Sequence, residues 1–213
     1  RVGVSPLDNI LASFRDKGKL FVVSVTIFLL GLLAGYCVFS NNPEFVMDNM
    51  ERFMGNILEI GKAMKNRSKH HITGLIFQNN IRALLIIIFG GIFFGVISVC
   101  SIFFNGFIMG IVMALTLYNG RTILFFLAGI LPHGLLEIPA VLGAGAFGLK
   151  TGLDLFFPKG KGRLDRLKAN LHNSVLALGV FVPLLFIAAA IEAVITPYIM
   201  NLLVGKRGIF YIL

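Results

Sequence analysis

Residues 83–120 read ALLIIIFGGIFFGVISVCSIFFNGFIMGIVMALTLYNG, and no Asp, Glu, Lys or Arg interrupts them. One helix of that length would reach about 57 Å, nearly twice a hydrocarbon layer of about 30 Å. The run must therefore turn. Asn105-Gly106 is the expected place, because both residue types tolerate the left-handed backbone of a tight turn. Spans near 83–104 and 106–118 result. The second is only about 20 Å long, so the turn is expected below the bilayer surface, where its backbone needs protein or water partners.

The same absence of charge recurs on either side. No charged residue lies between Lys19 and Glu44, only Glu137 lies between Arg121 and Lys150, and only Glu192 lies between Lys168 and Lys206. Further spans are expected near 20–39, 122–149 and 173–200. The chain is 57% hydrophobic and 14% charged, with a mean hydropathy of +0.88. Soluble domains run at about 45–50% apolar and about 25% charged. A water-soluble enzyme, a disordered chain and a nucleic-acid module are excluded on these grounds. The expected fold is an all-α integral membrane protein, a single membrane domain over residues 1–213. It is a polytopic bundle of about five transmembrane helices, one of them broken by proline. The net charge is +9, but the basic residues flank apolar runs. Lipid headgroups therefore account for them better than nucleic acid does. No cleavable signal peptide is expected, since the first apolar stretch is long and has no A-x-A ending. Cys37 and Cys100 fall within spans and read as packing residues rather than a disulfide framework.

Residues 43–65 have a different pattern. Phe45, Val46, Met50, Phe53, Met54, Ile57, Leu58, Gly61 and Met64 recur at helical spacing among charged residues. They read as an amphipathic extramembrane or interfacial helix. Lys62, Lys65, Arg67, Lys69, His70 and His71 then form a polar stop. A basic loop is expected over 150–172. Lys and Arg divide almost evenly between the two sides of five spans. The flanks of the first span decide orientation: Arg15, Lys17 and Lys19 before it, Glu44 and Asp48 after it. The positive-inside rule then puts the N-terminus in the cytoplasm of a multi-pass protein of the cell membrane. Tyr36, Tyr118 and Tyr198 close spans as interfacial rings do, and Tyr211 lies in the tail.

Gly31/Gly35, Gly91/Gly95, Gly106/Gly110 and Gly148/Gly152 are spaced four apart. Small residues at this spacing let helices approach closely in lipid, so a tight bundle and a homodimer are expected. Helix breaks and close packing are assigned to Gly106, Pro132, Gly134, Pro139, Gly145, Gly148, Gly152 and Pro197. Pro132 suits the first turn of a helix, which suggests half-helices 122–131 and 132–149.

Three ionisable groups need an account inside the membrane: His133, Glu137 and Glu192. A charge at mid-bilayer costs roughly 2.5–3.5 kcal/mol on insertion scales. His133 and Glu137 are four apart and share a helix face. With Arg82, Asn80 and Asn105 they form the candidate buried polar cluster. Three readings stand for it: an interhelical hydrogen-bond clamp, an ion or proton site, and a metal site. The first is the leading expectation, and no metal ligand or cofactor is assigned. His133 and Glu137 make H-x-x-x-E rather than H-E-x-x-H, and no G-x-S-x-G, P-loop or zinc-spaced cysteine pair occurs. No catalytic residue is assigned and no enzyme is expected.

The ordered set FQNNIR (77–82), Asn105-Gly106, LPHGLLEIP (131–139) with Gly145, Gly148 and Gly152, and AAIEA (189–193) with Pro197 resembles the stage II sporulation protein M family. The resemblance implies a five-span membrane scaffold, itself no hydrolase, that recruits cell-wall-remodelling proteins during sporulation. Two functions are therefore carried forward. One is a non-enzymatic scaffold that self-associates and recruits partners at the cell envelope. The other is a transporter- or channel-like module that uses midplane polar groups for an ion, proton or small solute.

Overall fold

Lipid offers no partners for backbone N–H and C=O groups, so a chain this apolar satisfies them within helices. A computed structural model describes residues 6–158, 160 and 162–204, with side chains for all of these except 6, 7, 56, 57, 65, 66 and 204. Among the described residues there are helices and no strand. They are α1 (Pro6–Phe14), α2 (Gly18–Asn41), α3 (Pro43–Asp48), α4 (Met50–Asn66), α5 (Lys69–Phe89), α6 (Val96–Tyr118), α7 (Ile123–Phe156) and α8 (Arg163–Val204). Five of them, α2 and α5 to α8, are long and apolar enough to cross a membrane. The protein is an all-α polytopic membrane protein.

Local signals set the helix ends. Pro43 occupies the first turn of α3, where its missing N–H is no loss. Ser68 caps α5 by accepting from the His71 N–H, and Thr122 caps α7 by accepting from the Phe125 N–H. Because consecutive spans alternate in direction, α1, the 90–95 turn and the 157–162 connection lie at one end of the bundle. The segment α3–α4 and the 119–122 turn lie at the other.

The turn within the uncharged run is not at Asn105-Gly106. Helix α6 passes straight through both residues. The chain turns instead at 90–95, through a 3-10 turn at Gly90–Ile92, then Phe94 with φ 53° and Gly95 with φ 80°. Asn105 stays helical because its side-chain amide donates to the Ser101 carbonyl one turn back, at 2.8 Å. Ser98 closes the true turn: its hydroxyl donates to the Ile87 carbonyl at 2.7 Å, satisfying a group at the end of α5. The spans are thus 69–89 and 96–118, each of full membrane length.

Three other boundaries differ from expectation. Helix α7 is continuous through Pro132 and Pro139, and α8 through Pro183 and Pro197. Proline inside a membrane helix removes one backbone bond, and neighbouring groups re-satisfy it without ending the helix. The amphipathic segment is two helices, α3 and α4, and α4 is itself kinked at Met54 (φ −139°, ψ 25°). The basic loop is short: α7 runs to Phe156 and α8 begins at Arg163, so Lys150, Arg163, Arg166 and Lys168 are helical. Lys159, Lys161, Tyr211 and the Lys65 side chain lie outside the described residues. Cys37 and Cys100 are free and exposed rather than packed in the core.

Glycine decides how the helices pack. A Cβ at Gly31 would strike the Phe103 carbonyl oxygen, and one at Gly35 that of Phe107. In return, Gly106 lies against the Phe28 carbonyl and Gly110 against that of Leu32. So two of the four glycine pairs face each other across α2 and α6, backbone against backbone. The other two meet likewise: Gly91 lies on the Gly148 carbonyl and Gly152 on the backbone of Gly95. Gly145 packs on Ile102 and Ser24, whereas Gly134 meets only Ile130 and Ile138 of its own helix. All four pairs are occupied within one chain, so they lend no support to a homodimer.

The turn end of the bundle is tied by aromatic and ionic contacts. Phe14 of α1 packs edge-on against Phe147 and Phe181, at 5.1 and 5.7 Å between centroids. Lys17 is buried over the Phe147 ring and donates to the Ser13 carbonyl. Burial holds its ammonium below the usual lysine range, and the nearby Lys150 acts the same way, against Asp16 and Asp154. Asp154 accepts from Lys150 at 2.8 and 2.9 Å and from Asn170 at 3.0 Å, with Arg166 at 3.7 Å, clasping α7 to α8.

Two outcomes follow for stability in detergent. Gly35→Leu or Gly110→Leu drives α2 from α6 and lowers the thermal midpoint, at a cost of about 1–3 kcal/mol or more. Gly179→Ala, where nothing lies within 4 Å of the added carbon, leaves the midpoint unchanged or raised. Asp154→Asn removes the acceptor of two cations and costs about 1–3 kcal/mol, read as a lower midpoint in the same assay.

A polar cavity at mid-membrane as the candidate functional site

The two halves of α7 differ in side-chain size. Over 140–149 every residue is buried, and most are Ala or Gly. Over 125–141 the helix carries Phe125, Phe126, Ile130, His133 and Glu137 and lines a cavity instead. That cavity has a volume of about 1040 Å³ and lies between α4, α5, α6, α7 and α8. It reaches from the α4 end of the bundle, at Glu51, Arg52 and Met64, into the membrane interior. His133 and Glu137 sit about 15 Å and about 21 Å along α7 from its start, which is mid-span.

All six residues of the sequence-derived cluster line this cavity: Asn80 and Arg82 from α5, Asn105 from α6, His133 and Glu137 from α7, and Glu192 from α8. Spacing explains the convergence. His133 and Glu137 are one helical turn apart on α7, and Glu192 and Thr196 are one turn apart on α8. The Nδ1 of His133 lies 3.2 Å from the Thr196 hydroxyl. Its Nε2 stands 3.9 Å from the Glu192 carboxylate, beyond hydrogen-bond length. One ligand atom from each of His133, Glu137 and Glu192 lies within 4.8 Å of the others. His133 is buried, and the two glutamates are partly open, toward the cavity they line.

The outer members behave differently. Asn80 is buried, its amide interacts with the Glu137 carboxylate, and its Nδ2 makes no hydrogen bond of normal geometry. Asn105 is bonded to its own helix. Arg82 is exposed to the cavity and forms no ion pair with Glu137 or Glu192 among the described residues. The expected neutralisation of a buried carboxylate by Arg82 is therefore not seen. Pro197 lines the cavity, one residue after Thr196. Thr196 itself was legible only through its four-residue spacing from Glu192.

Chemically, the arrangement offers a nitrogen and two carboxylates at one point, incompletely paired with each other, beside an unpartnered amide and a free guanidinium. In hydrocarbon, such groups face either one another or a water-filled space. Here they do both in part.

The chain is similar to an uncharacterized protein of Methanocaldococcus jannaschii, 26% identical over 183 residues, covering 84% of this chain and 94% of that protein. No solved structure matches it. A model of the family described as "Stage II sporulation protein M" matches residues 24–197, which hold most of each of the five spans and every residue of the cavity cluster. By that match, the chain belongs to the stage II sporulation protein M family.

Proposed function

We propose that this protein is a transporter- or channel-like membrane module that admits a cation, proton or small polar solute to its mid-membrane cavity. One observation carries this reading: a cavity of about 1040 Å³ lined by His133, Glu137, Glu192, Asn80, Arg82 and Asn105. A pure hydrogen-bond clamp closes on its own polar groups and leaves little room. Here the His133–Glu192 approach stops at 3.9 Å, and the space beside it would hold many waters. This reading assigns no catalysis: the hydroxyl beside His133 is that of Thr196, and its 3.2 Å contact is read as orienting the ring. It lies in the cell membrane with the N-terminus cytoplasmic, supported by the grouping of Lys17, Lys19, Lys150, Arg163, Arg166 and Lys168 at one end of the bundle. Water access tests it. With Cys37 and Cys100 replaced by Ala, Asn105→Cys reacts with a membrane-impermeant thiol reagent while the outward-facing Leu30→Cys does not. No labelling of Asn105→Cys sinks the reading.

A second reading, a scaffold that recruits envelope proteins, has one observation in its favour. Helices α3 and α4 expose Glu44, Phe45, Met47, Asp48, Glu59 and Lys62 at one membrane face. That mixed polar and apolar surface suits a protein partner. Replacing Phe45 and Met47 by Ser and comparing proteins that co-purify from native membranes tests it. Specific loss of a partner supports the scaffold, and an unchanged set removes it.

A further inference from the structure

Three donors in the cavity are arranged as an incomplete coordination shell. Ligand atoms about 2.0–2.2 Å from a common zinc-type ion stand about 3.4 Å from one another in tetrahedral geometry. The His133 Nε2 and Glu192 Oε2 are 3.9 Å apart, and the whole triad falls within 4.8 Å. The widest pair stands at most roughly 1.4 Å beyond that spacing.

The surroundings are those of a ligand site. A coordinating imidazole has its second ring nitrogen held by a neighbour, which fixes the tautomer. The Nδ1 of His133 meets Thr196 Oγ1 at 3.2 Å, so donation there leaves the Nε2 lone pair facing Glu192. A coordinating carboxylate is also steadied by a donor. Asn80, only 7% exposed, has an unpartnered Nδ2 and lies against Glu137. Three protein ligands leave further positions open toward the cavity, the pattern of a site that exchanges or presents its ion. One nitrogen and two carboxylate oxygens favour a divalent first-row transition cation over calcium or magnesium, whose shells are all oxygen. Charge agrees: two carboxylates neutralise one dication, so the loaded site carries no net charge into the bilayer.

We infer that His133, Glu137 and Glu192 bind a divalent transition-metal cation, with Thr196 and Asn80 positioning the imidazole and the Glu137 carboxylate. The inference rests on the reading that the cavity admits solutes, and names which. The sequence grouped these residues with a metal as one of three readings; the geometry comes from the convergence of α8 on α7, which brings Glu192 to Glu137 from fifty-five residues away.

The test is cobalt binding to the full chain in lipid nanodiscs, followed by visible absorption and by competition with zinc. One Co²⁺ per chain is expected, displaced by Zn²⁺. The isosteric Glu192→Gln abolishes it with monodispersity retained, as does His133→Asn. Thr196→Val weakens it by about tenfold, as loss of an outer-shell partner does, and Glu59→Gln on the exposed face of α4 leaves it intact. No cobalt bound by the unaltered chain, or binding unchanged in Glu192→Gln, overturns the inference. If cobalt fails while Asn105→Cys is labelled from water, the metal site falls and the open cavity stands. If both fail, the cavity reading falls with it.

Discussion

Backbone touching backbone at glycine is the contact on which this bundle depends. In lipid, apolar side chains gain little by leaving the solvent, so helices hold together through close packing and short polar contacts. Gly31 and Gly35 on α2 interlock with Gly106 and Gly110 on α6, and Gly91 and Gly95 with Gly148 and Gly152 near the end of α7. These contacts fix α2, α6 and the turn-side half of α7. The dense run of small residues in α7 begins at Ala140, and toward the helix start Ala128, Gly129 and Gly134 stand among bulkier and polar side chains. Tight packing at one end and a cavity toward the other are thus two consequences of how side-chain size is distributed along a single helix.

The cavity gives the polar groups their meaning. Two carboxylates within 4.8 Å of each other repel by about 3.5 kcal/mol even at an effective dielectric of about 20. They do not both hold full charge there without a proton or a cation between them. His133 stands 3.9 Å from one of them and is directed by Thr196. A positive charge beside the pair offsets that repulsion. An imidazolium would serve, but a buried ring with an external hydrogen-bond partner is equally prepared to give its lone pair to an ion.

Much of this was legible in the residues. The spacing of charges gave five spans, and the cost of charge in hydrocarbon singled out His133, Glu137 and Glu192. The turn was not found where Asn-Gly placed it, for a physical reason. That dipeptide's preference reflects chains in water, where exposed backbone is solvated. In lipid, Asn105 returns its amide to the Ser101 carbonyl and Gly106 serves as a packing surface against Phe28. The implied 20 Å span was the warning, and Gly90-Gly91 with Gly95 was the available alternative. Pro132 misled in the same way: α7 runs through it unbroken, since a membrane helix tolerates the lost backbone bond where neighbouring groups re-satisfy it. The cost of buried charge already grouped Glu192 with His133, but the Thr196 contact depends on the register between α7 and α8, which spacing along one helix does not encode.

Arg82 shows how far that register shapes the site. Its guanidinium lines the cavity at mid-span without pairing to either glutamate. Had it bridged them, its single charge would offset one of the two carboxylate charges within the protein. Instead the cation and the carboxylates face the same space from different helices, α5 on one side and α7 and α8 on the other. A solute in that space would meet an anionic pole with one nitrogen donor and, apart from it, a cationic pole. Separated poles of opposite sign would impose an orientation on a polar occupant of the cavity.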